Sequence, residues 1–184
     1  MSERVAVLLR GVNVGGVTLR SADLRACLSD AGFADVRTVL ASGNALVTTD
    51  GDVTAVADRV QRALLDRYER EIRVITRTQA DLGAITADCP YASDSSSHHA
   101  YVVFFADDAA ARDGFTALSG ALTEARATND SLDESLALGD GVVYWWCPRG
   151  STLSTPVSKA SEKTAKATLT TTRNLRTVLK LISG

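Results

Sequence analysis

The stretch VAVLLRGVNVGGVTLRSADLRACL, residues 5–28, decides the fold. It opens with five consecutive apolar residues, Val5–Leu9, a run typical of a strand that is covered on both faces. A glycine-rich turn follows, and then an amphipathic helix that we expect to begin at Ser21, as its N-cap, and to end at Gly32. The apolar face of this helix consists of Leu24, Cys27, Leu28 and Ala31.

The segments that follow complete a β-α-β-β-α-β pattern over residues 1–77. VRTVLASGNALVTT, residues 36–49, predicts two strands around the turn signal Ser42-Gly43-Asn44. Apolar residues at helical spacing predict a second helix over about 52–70, and IRVITR, residues 72–77, closes the pattern as a strand. This order is the split β-α-β pattern of a ferredoxin-like subdomain.

The second half repeats the first coarsely. Residues 78–99 predict a short helix and a polar loop that connect the halves, and residues 100–184 predict a second α+β subdomain. Its elements are a strand, a helix near 108–122 and a hairpin around Gly139-Asp140-Gly141, followed by a basic helical tail. The predicted fold is therefore α+β, with two ferredoxin-like (split β-α-β) subdomains and a C-terminal helix.

Composition indicates a soluble cytoplasmic protein. The 184 residues are 45% hydrophobic and 23% charged, with neither a signal peptide nor an apolar run long enough to cross a membrane. Three widely spaced cysteines indicate reduced thiols. His98 and His99 with Cys89 and Cys147 match no zinc spacing, and no serine lies in a nucleophile-elbow pattern, so we expect neither a metal nor a cofactor.

Charge is distributed unevenly. Residues 149–184 contain seven basic residues and one acidic residue, although the whole chain has a net charge of −2. A solvated helical face explains such a segment, and so does a docking surface for an anion. Both interpretations stay open.

The glycine-rich turn can be interpreted as a tight structural turn or as a ligand-binding loop. Gly11 and Gly16 have the spacing of a Walker A loop, but Val17 stands where that loop needs lysine, which argues against a nucleotide-hydrolysing P-loop. A tight turn explains the glycines. Asn13, Arg10 and Arg20 together give this connection a group of polar side chains that packing does not require. Such a group in a loop suits a ligand.

The motif TTRN, residues 171–174, is predicted to begin the last helix. Thr171 or Thr172 would cap this helix and Arg173 would lie in its first turn, at the positive end of the helix dipole. An arginine at this position makes sense beside a bound anion or beside a carboxylate of the protein itself. The sequence does not decide between a ligand and an internal salt bridge.

Three stretches together carry a family resemblance: LLRGVNVGG (8–16), ADLRACLSDAGFADVRTVLASGNALV (22–47) and TTRNLRTVLKL (171–181). They resemble the bacterial domain-of-unknown-function family 1697, which implies a cytosolic protein of two α+β subdomains with no established reaction. The chain departs from the family at Val17, where lysine is frequent, and at Leu175, where tryptophan is usual. The motif positions correspond to Arg10, Gly11, Asn13, Gly15, Gly16, Ser42, Gly43, Asn44, Thr172, Arg173 and Asn174.

The leading functional hypothesis is a binding module for a phosphate-bearing ligand, either a nucleotide or a nucleic-acid backbone. The RGVNVGG loop and the TTRN motif would approach each other, with charge from Arg10 and Arg173 and with donors from Asn13 and the glycines. An alternative is a small-molecule enzyme that uses Ser42, Asn44 and Arg173 in the same cleft. A third is that the motifs only hold the two subdomains together. The predicted ligand-binding residues are Arg10, Gly11, Asn13, Gly15, Gly16, Ser42, Asn44, Thr172, Arg173 and Asn174.

Overall fold

The structure, a computed structural model, describes residues 2–12, 18–40 and 43–184. Within these residues eight strands and six helices follow one order twice, β-α-β-β-α-β, with an additional helix after each round. The strands are β1 (Glu3–Leu9), β2 (Ala34–Thr38), β3 (Asn44–Thr49), β4 (Val74–Thr78), β5 (His98–Phe105), β6 (Ser135–Gly139), β7 (Val142–Pro148) and β8 (Thr170–Asn174). The helices are α1 (Ser21–Asp30), α2 (Val56–Tyr68), α3 (Gln79–Ala87), α4 (Asp108–Thr128), α5 (Pro156–Ala167) and α6 (Leu175–Ser183).

Each round of strands forms one four-stranded antiparallel sheet. The strand order is β2-β3-β1-β4 in the first sheet and β6-β7-β5-β8 in the second, so the first and third strands of each round are central. This is the order of a split β-α-β unit. The predicted α+β fold with two ferredoxin-like subdomains is confirmed.

The chain divides into two compact units. The first unit comprises the residues up to Ala84 together with Thr177–Gly184, and the second unit is Ile85–Arg176. The sequence analysis placed all of residues 100–184 in the second subdomain, whereas in the structure the last eight residues group with the first unit.

The core of the first unit lies between its sheet and helices α1 and α2. Val5, Val7 and Leu9 of β1 belong to one buried cluster with Leu28 of α1 and Leu64 of α2. The alternate residues of β1, including Leu8, are also fully buried. The prediction that this apolar strand is covered on both faces is confirmed.

The core of the second unit is built in the same way. Val103 and Phe105 of β5 join Trp145 of β7 and Leu118 of α4 in one buried cluster. The hairpin between β6 and β7 turns at Gly141, whose φ of 65° is left-handed, as the glycine-rich signal predicts.

The start of α1 differs from the prediction by one residue. Ser21 is the first helical residue and not the cap, and Arg20 precedes the helix without a capping side-chain hydrogen bond. The end is as expected, because Gly32 has a φ of 82° and its N–H donates to the carbonyl oxygen of Ser29 over 3.0 Å.

The prediction that TTRN begins the last helix is wrong. Thr172 and Arg173 lie in β8, which pairs with β5 and places Arg173 opposite Val102. Three consecutive threonines favour a strand, because their β-branched side chains fit a pleated backbone. The helix begins one residue after Asn174, whose Oδ1 accepts a hydrogen bond from the backbone N–H of Arg176 over 3.0 Å. Asn174 is therefore the cap that was assigned to a threonine.

Helix α5 gives the basic tail a structure that the sequence analysis did not resolve. The Thr155 hydroxyl accepts a hydrogen bond from the backbone N–H of Ser158 over 3.1 Å, and Pro156 occupies the first turn. A threonine cap followed by proline is a helix-start signal, and it marks this element.

Among the helices of the described residues, none is both long enough and apolar enough to span a membrane.

Candidate functional site

The described parts of the RGVNVGG and SGN motifs lie together at one end of the first sheet. Arg10 directly follows β1, and its backbone N–H donates to the carbonyl oxygen of Arg73 over 2.9 Å. The backbone N–H of Leu9 donates to the carbonyl oxygen of Gly43, also over 2.9 Å. Two motifs separated by about thirty residues in the sequence therefore meet where β1 ends.

Gly43 allows this close approach. Its φ is 70°, and a Cβ atom there would collide with the Val12 side chain and lie 3.1 Å from Cβ of Leu9. Gly11 also has a left-handed φ, 69°, but a Cβ atom there would have nothing within 4 Å. Gly43 is therefore needed for packing and for backbone conformation, whereas Gly11 is needed for conformation alone.

Asn44 closes the connection between β2 and β3. Its side chain is fully buried, and Nδ2 donates to the carbonyl oxygen of Val39 over 3.1 Å. The backbone N–H of Val39 donates in turn to the carbonyl oxygen of Asn44 over 3.0 Å. These contacts give Asn44 a structural role, and contact with a ligand stays a prediction.

Four of the predicted ligand-binding residues, Asn13, Gly15, Gly16 and Ser42, lie outside the described residues.

Arg73 is a second cation at this end of the sheet, and sequence reasoning missed it. The β1–β4 register pairs Leu9 with Val74, and the hydrogen bond from Arg10 to Arg73 continues that register by one step. Residues that are directly opposite in an antiparallel pair share a face of the sheet. The pairing therefore places Arg10 and Arg73 at adjacent positions on one face where the strands end, with Arg10 partly buried and Arg73 exposed. No sequence signal could identify Arg73, because the pairing of β1 with β4 is nonlocal.

Arg173 lies in the second unit, on β8. Its Nη1 donates to Oγ1 of Thr171 over 2.7 Å and to the carbonyl oxygen of Thr172 over 2.9 Å. Burial lowers the pKa of the Arg173 guanidinium to about 10, because the charged form loses hydration. The side chain remains cationic at pH 7 and is held in one orientation by its own strand.

Asn174, the last residue of β8, lies beside His99. Nδ2 of Asn174 lies 3.4 Å from Nδ1 of His99. Burial lowers the pKa of His99, and the positive charges of Arg149 and Arg176 lower it further. His99 is thus biased towards its neutral form in a cationic environment.

The structure therefore brings Arg10, Gly11 and Asn44 together in the first unit and Thr172, Arg173 and Asn174 together in the second. The proposal that these two groups share one ligand stays a prediction.

The chain is similar to one protein family and to solved structures. The family model described as "Protein of unknown function (DUF1697)" matches residues 1–144, a range that ends before the TTRN motif. No curated protein sequence matches significantly.

Among solved structures, the conserved bacterial protein SP0830 from Streptococcus pneumoniae is similar in fold, with a TM-score of 0.73 and 23% identity over 100% of this chain and 98% of that chain. An unknown protein from Galdieria sulphuraria aligns over 95% of this chain and 98% of that chain, with 11% identity and a TM-score of 0.27.

Proposed function

The chain belongs to the DUF1697 family of proteins of unknown function, and we propose that it binds a phosphate-bearing ligand at the end of β1. The observation that carries the proposal is the pairing of Arg10 with Arg73 beside the left-handed turn at Gly11. Guanidinium groups bind phosphate oxygens in a bidentate manner, so two arginines at adjacent positions on one face suit an anionic ligand.

The connection that follows Arg10 supports the same function. It runs from the end of β1 to α1, and α1 begins without a capping side-chain hydrogen bond from Arg20. The backbone N–H groups in the first turn of a helix are suited to an anion, and the positive end of the helix dipole adds to the attraction.

Arg173 is a candidate anion contact within the second unit. It is a partly desolvated cation, and charges attract more strongly where water is excluded. A nucleotide needs only a few such contacts. An extended nucleic-acid surface is less well supported, because the strongly basic segment covers only residues 149–184 and aromatic residues make up 5% of the chain.

The proposal is tested by thermal shift. Inorganic pyrophosphate and adenosine nucleotides are screened against the wild type, Arg10→Ala, Arg73→Ala and Arg173→Ala, with Arg70→Ala as a control at an exposed arginine. We expect pyrophosphate to raise the melting temperature of the wild type and of Arg70→Ala, and to raise that of Arg10→Ala and Arg73→Ala much less. A ligand that binds only the folded state must stabilise it. Equal shifts in all variants would contradict the proposal.

The same screen separates the alternatives. If the motifs only hold the structure together, Arg10→Ala and Arg173→Ala lower the melting temperature and no anion shifts the wild type. If the bound species is a nucleic-acid backbone, a short oligonucleotide binds with a steeper dependence on salt than pyrophosphate, because many counterions are released. A small-molecule enzyme at these loops would in addition consume the bound compound.

A further inference from the structure

A hydroxyl, an imidazole and a carboxylate form a continuous hydrogen-bonded chain in the second unit. Oγ of Ser97 lies 2.9 Å from Nδ1 of His98, and Nε2 of His98 lies 3.1 Å from Oδ2 of Asp133. Asp133 is 35 residues from His98 along the chain. A nucleophile within hydrogen-bond reach of a base that a third group orients is the signature of an activated nucleophile.

The partners of His98 fix its tautomer. Nε2 contacts two oxygens of Asp133, the carboxylate Oδ2 and the backbone carbonyl, each at 3.1 Å. Both oxygens are acceptors, so in the neutral ring Nε2 carries the proton and Nδ1 presents its lone pair. Ser97 O–H therefore donates to Nδ1, the direction in which a general base takes a proton from a nucleophile.

Two adjacent tryptophans hold this chain of groups in place. The Trp146 ring stacks on His98 with centroids 4.8 Å apart and planes 5° from parallel. Nε1 of Trp145 donates to Oε1 of Glu134 over 2.8 Å, and Nη2 of Arg126 donates to the backbone carbonyl of Glu134. The imidazole and the residue next to Asp133 are thus both fixed, and the side chain of His98 is only 10% exposed.

Ser97 itself lies on the surface, and two arginines contact the loop that precedes it. It is exposed, and the backbone N–H of Arg149 donates to its carbonyl oxygen over 3.0 Å. Nη2 of Arg149 donates to the carbonyl oxygen of Ser95 over 2.7 Å, and Nε of Arg176 donates to that of Ser93, also over 2.7 Å. Both arginines are exposed, so a negatively charged substrate would be drawn to this loop.

We propose that Ser97 is the nucleophile of an esterase site, with His98 as general base and Asp133 as positioning residue, for carboxylic esters that carry a negative charge. This site does not depend on phosphate binding by the first unit.

The reaction proceeds in two steps, acylation of Ser97 and hydrolysis of the acyl-serine. Oγ of Ser97 attacks the ester carbonyl carbon while its proton passes to Nδ1 of His98, and the bond from carbon to the alkoxy oxygen breaks as that oxygen takes the proton and leaves as the alcohol. Water then attacks the acyl-serine and gives a proton to Nδ1, which passes it to Oγ as the carboxylic acid leaves.

The test uses a fluorophosphonate, which reacts with activated serines: a bond forms from Oγ to phosphorus, fluoride leaves, and the proton passes to His98. Intact mass and peptide mapping follow labelling of the wild type, Ser97→Ala, His98→Gln and the matched control Ser96→Ala, the neighbouring exposed serine. We expect labelling at Ser97 in the wild type and the control, none at this position in Ser97→Ala, and a rate about 100-fold lower in His98→Gln. No label at Ser97, or equal labelling in His98→Gln, would overturn the proposal.

A second variant pair covers the case in which His98→Gln unfolds. Ser97→Cys places a thiol beside His98, and Ser96→Cys places one a residue away. We expect iodoacetamide to alkylate the introduced thiol of Ser97→Cys at least about 10-fold faster at pH 7 than that of Ser96→Cys, because a histidine partner favours the thiolate. Equal rates would show that His98 does not activate this position.

The substrate class is tested with 4-nitrophenyl acetate and the 4-nitrophenyl monoester of succinate. We expect the wild type to hydrolyse the anionic ester with the higher kcat/KM, and the preference to shrink at high salt and in Arg149→Ala. Equal kcat/KM values for the two esters would overturn the assignment to anionic substrates.

Discussion

The two units share one topology but differ in the connection that follows their first strand. In the first unit a glycine-containing connection of eleven residues, 10–20, separates β1 from α1, and α1 has no side-chain cap at Arg20. In the second unit only Ala106 and Asp107 separate β5 from α4, and the Asp107 carboxylate accepts a hydrogen bond from the backbone N–H of Ala110 over 2.8 Å. Among the described residues, the helix of the second unit has a side-chain cap and that of the first unit has none at its N-cap residue.

The polar groups of the second unit lie at the other end of its central strand. His98 is the first residue of β5, whereas Arg10 follows the last residue of β1. The proposed anion site of the first unit and the hydroxyl–imidazole pair of the second therefore lie at opposite ends of equivalent strands. Loops and strand ends commonly carry chemistry while the sheet supplies rigidity.

The largest expected effect tests whether the two cores contribute equally. Leu64→Ala in α2 and Leu118→Ala in α4 each remove a fully buried side chain, and we expect each to lower the free energy of unfolding by about 2–5 kcal/mol. Leu65→Ala, at a residue that is 46% exposed, is the control and should cost less than about 1 kcal/mol. Urea denaturation measures all three. A control-sized loss in either core variant would show that the two cores are not equivalent.

The next effect concerns the glycine at the end of the first sheet. We expect Gly43→Ala to cost about 3 kcal/mol, because alanine would combine a left-handed φ with a collision against Val12. Gly11→Ala has the conformational penalty without the collision and should cost about 1 kcal/mol. Equal losses by urea denaturation would mean that the contact with Val12 is easily relieved.

The matching test in the second unit uses two glycines of α4. A Cβ atom at Gly114 would collide with the Phe105 ring, whereas one at Gly120 would meet nothing within 4 Å. We expect Gly114→Ala to destabilise by about 1–3 kcal/mol and Gly120→Ala to stabilise by up to about 1 kcal/mol, since alanine favours a helix. Two changes of the same sign in thermal unfolding would argue against tight packing at Gly114.

The smallest effect is a dependence on alkaline pH. Burial raises the pKa of the Cys147 thiol to about 11, above its value in the unfolded chain. The unfolded state therefore loses this proton first, so the stability from the neutral thiol is complete below about pH 8 and falls as the pH rises towards 11. Between about pH 8 and pH 11 we expect the free energy of unfolding of Cys147→Val to fall less than that of the wild type. Urea denaturation of both proteins at each pH measures the difference.

Local sequence signals were sufficient for most of the fold. The apolar run of β1, the glycine after α1 and the hairpin turn at Gly141 each depend on neighbouring residues, and the structure confirms them. TTTRN was misassigned because it lies directly before a strongly amphipathic helix, and the adjoining helical periodicity hid the strand preference of the threonines. Local rules are weakest where two elements meet without an intervening loop.

The candidate sites were less predictable because they depend on nonlocal pairing. Arg10 could be identified from its motif, but its neighbour Arg73 follows from the β1–β4 register. The sequence analysis examined His98 only as a metal ligand and found no serine in a nucleophile elbow. The partners of His98 are an adjacent serine and a carboxylate 35 residues away, a spacing that no local pattern specifies.

The central claim, an anion site at the end of β1, is tested most directly by titrating inorganic pyrophosphate into the wild type, Arg73→Ala and the exposed control Arg70→Ala with calorimetric detection. The account predicts saturable binding to the wild type and the control, weakened at least about 10-fold in Arg73→Ala, because one of the two proposed cationic contacts is lost. Saturable binding of equal affinity in all three proteins, or none in the wild type, would contradict it.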